Sequence, residues 1–242
     1  MDKYEKLKDI IKGSKNICVF TGAGISCPSG IPDFRSADGL YNREEKSVYS
    51  PEEIISHSFF MIKTKMFFDF YKSSMLYPEA QPNEAHRFFA ALEEEGKNVT
   101  VVTQTIDGLH QAAGSSNVIE LHGSVHRNYC LKCKKAFSLD YIVKSEGVPL
   151  CSDCGAIIKP DVVLYEEPLP EDSVFRALKA IEEADTMFVV GTSLVVYPAA
   201  SYIRYFKGEN LVLINKGSTR FDSVANLIFN EDVIRVVRKI KE

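Results

Sequence analysis

Short β-branched and apolar runs at 17–21, 99–103, 118–120, 162–164, 186–190, 211–214 and 227–229 most constrain what this chain can fold into. Helical patterns lie between most of them, at 83–95, 170–184, 198–206 and 232–241, and Leu7, Ile10 and Ile11 place an amphipathic helix before the first. Strands that are β-branched throughout and alternate with helices predict an α/β fold, a doubly wound, Rossmann-like parallel sheet covered on both faces. Two segments break the rhythm. Residues 37–82 read as a mobile loop followed by helices rich in Phe, Met, Ile and Lys, and residues 122–160 carry four of the six cysteines. Both are expected to be insertions that form a small second domain against the sheet. The main domain is then left with 1–36, 83–121 and 161–242.

A chain of 242 residues suits one large domain, alone or carrying a small insertion. Its 45% hydrophobic and 26% charged content excludes disorder. Lys and Arg number 29 against 33 Asp and Glu, so the net charge is 29 − 33 = −4 and no long basic run stands out. Direct binding to nucleic acid is therefore not expected. The N-terminal residues hold no apolar core of signal-peptide length, and no stretch approaches about 18 apolar residues, so a cytoplasmic location without membrane contact is expected.

In that compartment the cysteines are reduced. Cys130-x2-Cys133 and Cys151-x2-Cys154, with seventeen residues between the pairs, have zinc-ribbon spacing. Each turn aims two thiolates at one point, and two turns complete a tetrahedron. Two disulfides or a chance coincidence are the alternatives. If zinc is bound, four sulfur ligands leave no open position for water, which makes the metal structural. Of the remaining pair, Cys18 reads as a small buried strand residue and Cys27 as a loop residue.

The run Phe20-Thr-Gly-Ala-Gly-Ile-Ser-Cys-Pro-Ser-Gly-Ile-Pro-Asp-Phe-Arg35 follows the first strand directly. Glycines there let the backbone turn sharply and approach a phosphate. Gly22-Ala23-Gly24 alone is weak, because the third glycine of the usual dinucleotide fingerprint would fall at Cys27. The tail Ile31-Pro-Asp-Phe-Arg35 sharpens it by adding a rigid turn, a carboxylate, a ring and a guanidinium. Further on stand Thr103-Gln-Thr-Ile-Asp-Gly-Leu-His110, Glu120-Leu-His-Gly123, the cysteine quartet, Gly191-Thr-Ser-Leu-Val195 and Leu213-Ile-Asn215. In order and spacing this set resembles the sirtuin family, the NAD-consuming protein deacylases, over nearly the whole chain.

The resemblance implies an NAD-dependent protein-lysine deacetylase that releases nicotinamide and O-acetyl-ADP-ribose. It implies NAD and a structural zinc as cofactors, and an acetylated lysine in an extended peptide as partner. It makes His122 the general base that takes a proton from the NAD ribose, a task for which a neutral imidazole is suited. By itself, a histidine in a strand–glycine turn is more often structural. Gly22, Ala23, Gly24, Ile25, Cys27, Asp33, Phe34 and Arg35 then belong to a cofactor loop. Gln104, Thr105, Ile106 and Asp107 emerge at a strand's carboxyl end, where open α/β sheets bind ligands. In the family reading Asp107 and the Ile106 backbone hold the nicotinamide carboxamide, whereas the plain reading of Asp107 is a helix N-cap. Gly191, Thr192, Ser193 and Asn215 are implied to hold phosphate and adenine ribose, joined by Lys216, Asp232 and Val233. Val163, Leu164 and Tyr165 are implied to pair with the substrate peptide by strand addition. His110 is expected near the cofactor, and His57, His86 and His126 in surface or structural roles.

Two residues depart from the family pattern. Thr105 stands where sirtuins usually carry Asn, and one short hydroxyl replaces an amide's donor and acceptor. Glu166 stands where Gly is common, as a rim carboxylate that either favours basic peptides or is merely solvated. Sirtuins that prefer succinyl or malonyl groups place a Tyr and, three residues later, an Arg. Here Tyr71 is followed by Lys72, Ser73 and Ser74, so acetyl is the expected group. The rivals are an ADP-ribosyltransferase or NAD hydrolase on the same scaffold, and a non-catalytic NAD-sensing module. A hydride-transferring dehydrogenase is disfavoured, because no acidic residue ends a clear second strand about 20 positions after the glycines.

Overall fold

A central parallel strand is buried on both faces and needs apolar residues at successive positions. Residues 17–21 supply them, and all five are buried in Asn16–Thr21 (β1). A computed structural model describes residues 2–36, 39–42 and 48–242. After β1 come Asn98–Thr103 (β2), Val118–Glu120 (β3), Gly123–Cys130 (β4), Ala136–Phe137 (β5), Ile158–Val162 (β6), Thr186–Val190 (β7), Asn210–Ile214 (β8) and Leu227–Phe229 (β9). Six of them form one parallel sheet in the order β3-β2-β1-β7-β8-β9.

The period of two along β1 divides the core between the sheet's faces. Ile17 and Val19 pack with Leu7 of helix Lys3–Gly13, Phe89 of helix Glu84–Glu94 and Val236 of helix Val233–Lys241. Cys18 and Phe20 face the other layer, with Ile181 of helix Glu171–Glu183 and Ala200 of the 3-10 segment Ala199–Tyr205. The sheet is doubly wound, as the alternation predicts, although 198–206 is tightened to 3-10 geometry. Burial pushes the Cys18 thiol up to about 12, in keeping with a packing role.

One expected strand lies elsewhere. Residues 162–164 do not join the parallel sheet; β6 ends at Val162 and pairs antiparallel with β4, at the edge of a second sheet ordered β5-β4-β6. Pro160 has no N–H to give a ladder, and it sits on this edge strand opposite Asn128. The expected boundary between residues 160 and 161 therefore falls inside a strand. β4 shows no period-two pattern because its register shifts between Ser124 and Asn128.

Packing joins the two insertions. Phe60, Phe67, Phe68 and Tyr71 share one core with Val125, Ile142 and Ile158 from the cysteine-bearing segment. The rings meet edge to face, Phe60–Phe67 at 5.0 Å and Phe67–Phe68 at 5.2 Å between centroids, a preferred aromatic geometry. The loop expected at the start of 37–82 falls partly on 37, 38 and 43–47, outside the described residues. Among the described residues no helix is long and apolar enough to cross a membrane.

Candidate active site

The strand order reverses between β1 and β7, and the ligand crevice of an open α/β sheet opens at that point, beyond the carboxyl ends. The loops leaving these two strands touch. Gly22 N–H donates to the Val190 carbonyl at 3.0 Å and Gly24 N–H to the Gly191 carbonyl at 2.8 Å. A Cβ on Gly24 would lie 2.8 Å from the Gly191 Cα. Gly191, at φ +60°, would place one 2.4 Å from the Ile25 nitrogen. These glycines let the two loops approach each other. Ala23 lines the cleft, while Ile25 turns its side chain into the core and offers its carbonyl to the Asn83 amide at 2.8 Å. Ser26, between the glycines and Cys27, donates its hydroxyl to Asp107 Oδ2 at 2.6 Å.

Gln104, Thr105, Ile106, Asp107 and His122 line the same cleft. His122 Nδ1–H donates to the Gln104 carbonyl at 3.0 Å, which leaves Nε2 as the unprotonated nitrogen. Burial lowers the His122 pKa, and that hydrogen bond opposes the shift. Asp107 Oδ1 accepts from Leu109 N–H at 2.9 Å and from the Thr105 hydroxyl at 3.4 Å. Gly108, at φ 74°, is the N-cap of helix Leu109–Ala112, so Asp107 is not the cap that its plain reading expects; it closes a turn one residue ahead of that cap and faces the cleft. Burial raises its carboxyl pKa against the pull of these donors. His126, expected at the surface or in a structural place, donates from Nε2 to the Asp107 backbone carbonyl at 2.9 Å and lines the cleft.

Other expected residues take varied places. Cys27 Sγ lies 3.7 Å from the Ala23 carbonyl. Asp33 closes its own turn, Oδ1 accepting from the N–H groups of Arg35 and Ser36 at 3.1 and 2.8 Å. Phe34 and Arg35 line the cleft and pack on the Tyr41 ring at 5.4 and 5.1 Å. Thr192 accepts from the Gln104 amide at 3.3 Å, tying the β7 loop to β2. Ser193 is exposed. Lys216 pairs with Asp232 at 3.0 Å, Asn215 binds the Gly217 carbonyl at 2.9 Å, and Val233 turns into the core. The group from Gly191 to Ser193 and from Asn215 to Val233 lies on the β7–β9 side, outside the cleft that His122 lines.

Val163 N–H donates to the His122 carbonyl at 3.0 Å, which joins the candidate peptide segment to the candidate base. Leu164 is buried, and Tyr165 pairs with the helical insertion through Ile55 and His57. The Tyr165 hydroxyl meets that of Tyr41 at 2.9 Å. Glu166 sits at φ +74°, a conformation that favours glycine. Its carboxylate accepts from Ser58 N–H at 2.8 Å, in the first turn of helix His57–Ile62. The fold therefore uses this carboxylate itself. Glu166→Ala should lose the bond and keep the strain, and so melt below the wild type. Glu166→Gly should recover most of that by relieving about 1 kcal/mol of left-handed strain. Thermal melting of the pair checks this; a glycine variant no more stable than the alanine variant would refute it.

The Sγ atoms of Cys130 and Cys154 lie 3.4 Å apart, those of Cys133 and Cys151 3.6 Å, and all four fall within 4.8 Å of one another. A disulfide requires about 2.05 Å. Thiolates around zinc at about 2.3 Å form a tetrahedron with edges of about 3.8 Å. The donor set fits zinc. The two turns repeat one pattern: Cys130 takes Lys134 N–H at 3.1 Å and gives its own to Lys135 at 2.9 Å, and Cys151 does likewise with Gly155 at 2.9 Å and Ala156 at 2.8 Å. Lys134 and Gly155 are both left-handed, at φ 62° and 69°.

A family model described as the Sir2 family matches residues 22–198. An NAD-dependent protein deacetylase of Clostridium perfringens (strain 13 / Type A) is 55% identical over 240 residues, which cover 99% of this chain and 98% of that one. A solved structure of Sir2 with a p53 peptide and NAD+ gives a TM-score of 0.86 at 41% identity, covering 99% of this chain and 97% of its own. Another, of Sir2 with 2′-O-acetyl-ADP-ribose and a deacetylated p53 peptide, gives 0.85 at 39% identity, covering 98% and 96%. The family match begins at the first glycine after β1 and runs past the loop after β7, so it takes in the switch-point crevice and both insertions. With such identity sustained over nearly its whole length, this chain belongs to the Sir2 family.

Proposed function

We propose that this chain is an NAD-dependent protein-lysine deacetylase that releases nicotinamide, free lysine and O-acetyl-ADP-ribose. The carrying observation is a tautomer-fixed His122 in one cleft with Asp107, joined through its carbonyl to the Val163 backbone. NAD supplies an electrophilic ribose carbon that loses nicotinamide and takes the acyl oxygen. The Asp107 carboxylate and the Ile106 backbone hold the nicotinamide carboxamide. Gln104, Phe34, Arg35 and the two glycine loops hold ribose and phosphates, with Asn215, Lys216 and Asp232 on the adenosine side. His122 Nε2 accepts the ribose hydroxyl proton, and the Gln104 carbonyl steadies the imidazolium. The Val163 carbonyl, to which nothing among the described residues donates, receives the acyl-lysine amide. One water is consumed as the lysine amine leaves. Zinc on the four cysteines braces the small domain, which the two insertions form together, and takes no part in the reaction. A cytoplasmic site of action belongs to the same reading.

Thr105 favours a second reading, ADP-ribosyl transfer or NAD hydrolysis, because among the described residues its hydroxyl reaches Asp107 and Thr103 alone, where an amide offers two functions. Incubation with NAD and an acetylated peptide, following nicotinamide, peptide mass and protein mass together, separates the cases. Acetyl loss in step with nicotinamide supports deacetylation. Nicotinamide release without it supports the second reading, and no release leaves a binding module.

The same assay tests the acyl group. Lys72 donates to the Ser145 carbonyl at 2.6 Å, the Ser145 hydroxyl at 3.1 Å and the Gly147 carbonyl at 3.0 Å, so it is held against the other insertion. Ser74 and Met75 reach the cleft instead. A succinyl carboxylate entering beside Ser74 and Met75 finds no guanidinium on the Tyr71–Met75 segment, whose Lys72 is engaged elsewhere, and burying it unpaired is costly. Acetyl-lysine peptides should exceed succinyl-lysine peptides by at least about tenfold in kcat/KM, roughly 1.4 kcal/mol. Equal kinetics on one peptide sequence would sink this.

A further inference from the structure

Behind the cleft lies a line of buried polar side chains that the proposed reaction does not use. Thr21 of β1 donates its hydroxyl to Thr103 of β2 at 2.8 Å. Thr103 also accepts the Thr105 N–H at 3.0 Å, which fills both of its acceptor positions. Its own proton is therefore the one shared with the Thr105 hydroxyl at 2.8 Å. Thr105 in turn donates to Asp107 Oδ1 at 3.4 Å. At the other end the Thr21 hydroxyl lies 3.1 Å from His110 Nε2. Thr21 has already spent its single proton on Thr103, so His110 carries a proton on Nε2 and donates it. Every bond in the line then points toward Asp107.

Beyond His110 the line of hydrogen bonds ends, and the His86 ring packs against the His110 ring. His86 Nδ1 accepts from Asn83 N–H at 3.3 Å, so the His86 proton is on Nε2. Among the described residues His86 Nε2 and His110 Nδ1 have no hydrogen-bond partner, and both residues are at most 1% exposed. One of these atoms is a donor and the other an acceptor, on rings 4.8 Å apart. Burial lowers both histidines, His86 to about 4 and His110 well below its ordinary value, so neither ring charges near neutral pH. Asn83 also grips the cofactor loop at the Ile25 carbonyl and the Ser29 hydroxyl, 2.8 and 2.9 Å away.

We propose that His110, Thr21, Thr103 and Thr105 form a one-way hydrogen-bond relay, backed by His86, that orients the Asp107 carboxylate. These are positioning residues. Every donor that reaches Asp107, Ser26 and Leu109 N–H included, suits an acceptor-only, ionised carboxylate. Thr105, the departure from the family pattern, is the last link. A two-oxygen acceptor held on both sides presents a fixed edge to the nicotinamide carboxamide, and bonds in such a low-dielectric line strengthen one another. The kinetic part of the proposal rests on the deacetylase reading above.

The test has two arms. Long-range proton–nitrogen NMR on the wild-type protein reads the His110 tautomer without turnover; Nε2–H is expected, and Nδ1–H overturns the relay. The second arm compares Thr21→Val, which keeps the volume and removes the hydroxyl, with Thr21→Ser, which keeps the hydroxyl. In nicotinamide exchange Thr21→Val should raise the half-saturating nicotinamide concentration by at least about tenfold, the scale of a weakened hydrogen bond to a charged group. KM for the acetyl peptide should hold, and Thr21→Ser should stay near wild type. Unchanged exchange in Thr21→Val, or equal damage in both variants, overturns the proposal. Absence of exchange in the wild type overturns the deacetylase reading instead, while the tautomer still decides the relay.

Discussion

His122→Ala should leave NAD binding largely intact and cut deacetylation by about 10² to 10⁴, the usual contribution of a positioned base. The imidazole is set by two contacts with opposite consequences. The Gln104 carbonyl takes the Nδ1 proton and fixes which nitrogen is bare, while burial disfavours the charged ring and lowers its pKa. A base with a lowered pKa stays neutral through physiological pH. The wild-type rate should therefore fall on acidification only below the ordinary imidazole range, and the variant should lose that acid limb. Nicotinamide exchange should suffer less, because the bond to nicotinamide breaks before the base is needed. Steady-state deacetylation, exchange and NAD titration on one preparation check all three statements, and near-normal deacetylation in the variant would remove His122 from the role.

The parallel strands are legible in the sequence because burial on both faces leaves a continuous apolar run, and Ile17–Thr21 and Thr186–Val190 have it. β4 and β6 are not. A register shift erases the alternation of β4, and Pro160 makes β6 look like a poor strand until its edge position is known. Around the site, the sequence motifs mark which loops meet but not which way each side chain faces. Ile25 and Val233 lie in segments expected to hold the cofactor, yet both side chains face the core. Ser26 lies inside the first motif and was signalled only by its place there, whereas its bond to Asp107 joins residues far apart in the chain. His126 comes to the cleft through β4, so no spacing in the sequence marks it. The pattern-level glycine at position 166 has a structural cause that only φ reveals, and Glu166 meets it with a helix-capping carboxylate.

Freshly purified protein should carry one zinc per chain, and Cys151→Ala should lose it with a joint fall in stability and activity. The joint fall follows from where the sulfurs sit. Cys130 and Cys151 are buried in the same core as Phe60, Phe67, Ile142 and Ile158, so the metal-binding turns and the helical insertion support one another. No cysteine of the quartet lines the cleft, but Ile55, Ser74 and Met75 of the helical insertion do, and Val125 and Leu139 of the cysteine-bearing segment join them. Structural zinc contributes apparent free energies of about 10 to 16 kcal/mol in small zinc modules at neutral pH, far more than a module of this size retains without it. Losing one thiolate also leaves an incomplete donor set, and without the metal the other three sulfurs no longer tie the two turns together. The small domain should therefore unfold while the parallel sheet keeps its secondary structure, and a chelator should reproduce the effect on the wild type. Metal analysis with circular dichroism and the deacetylation assay measures each part. Less than half an equivalent of zinc in the wild type, or full activity in Cys151→Ala, would show that the four cysteines do not hold a structural metal.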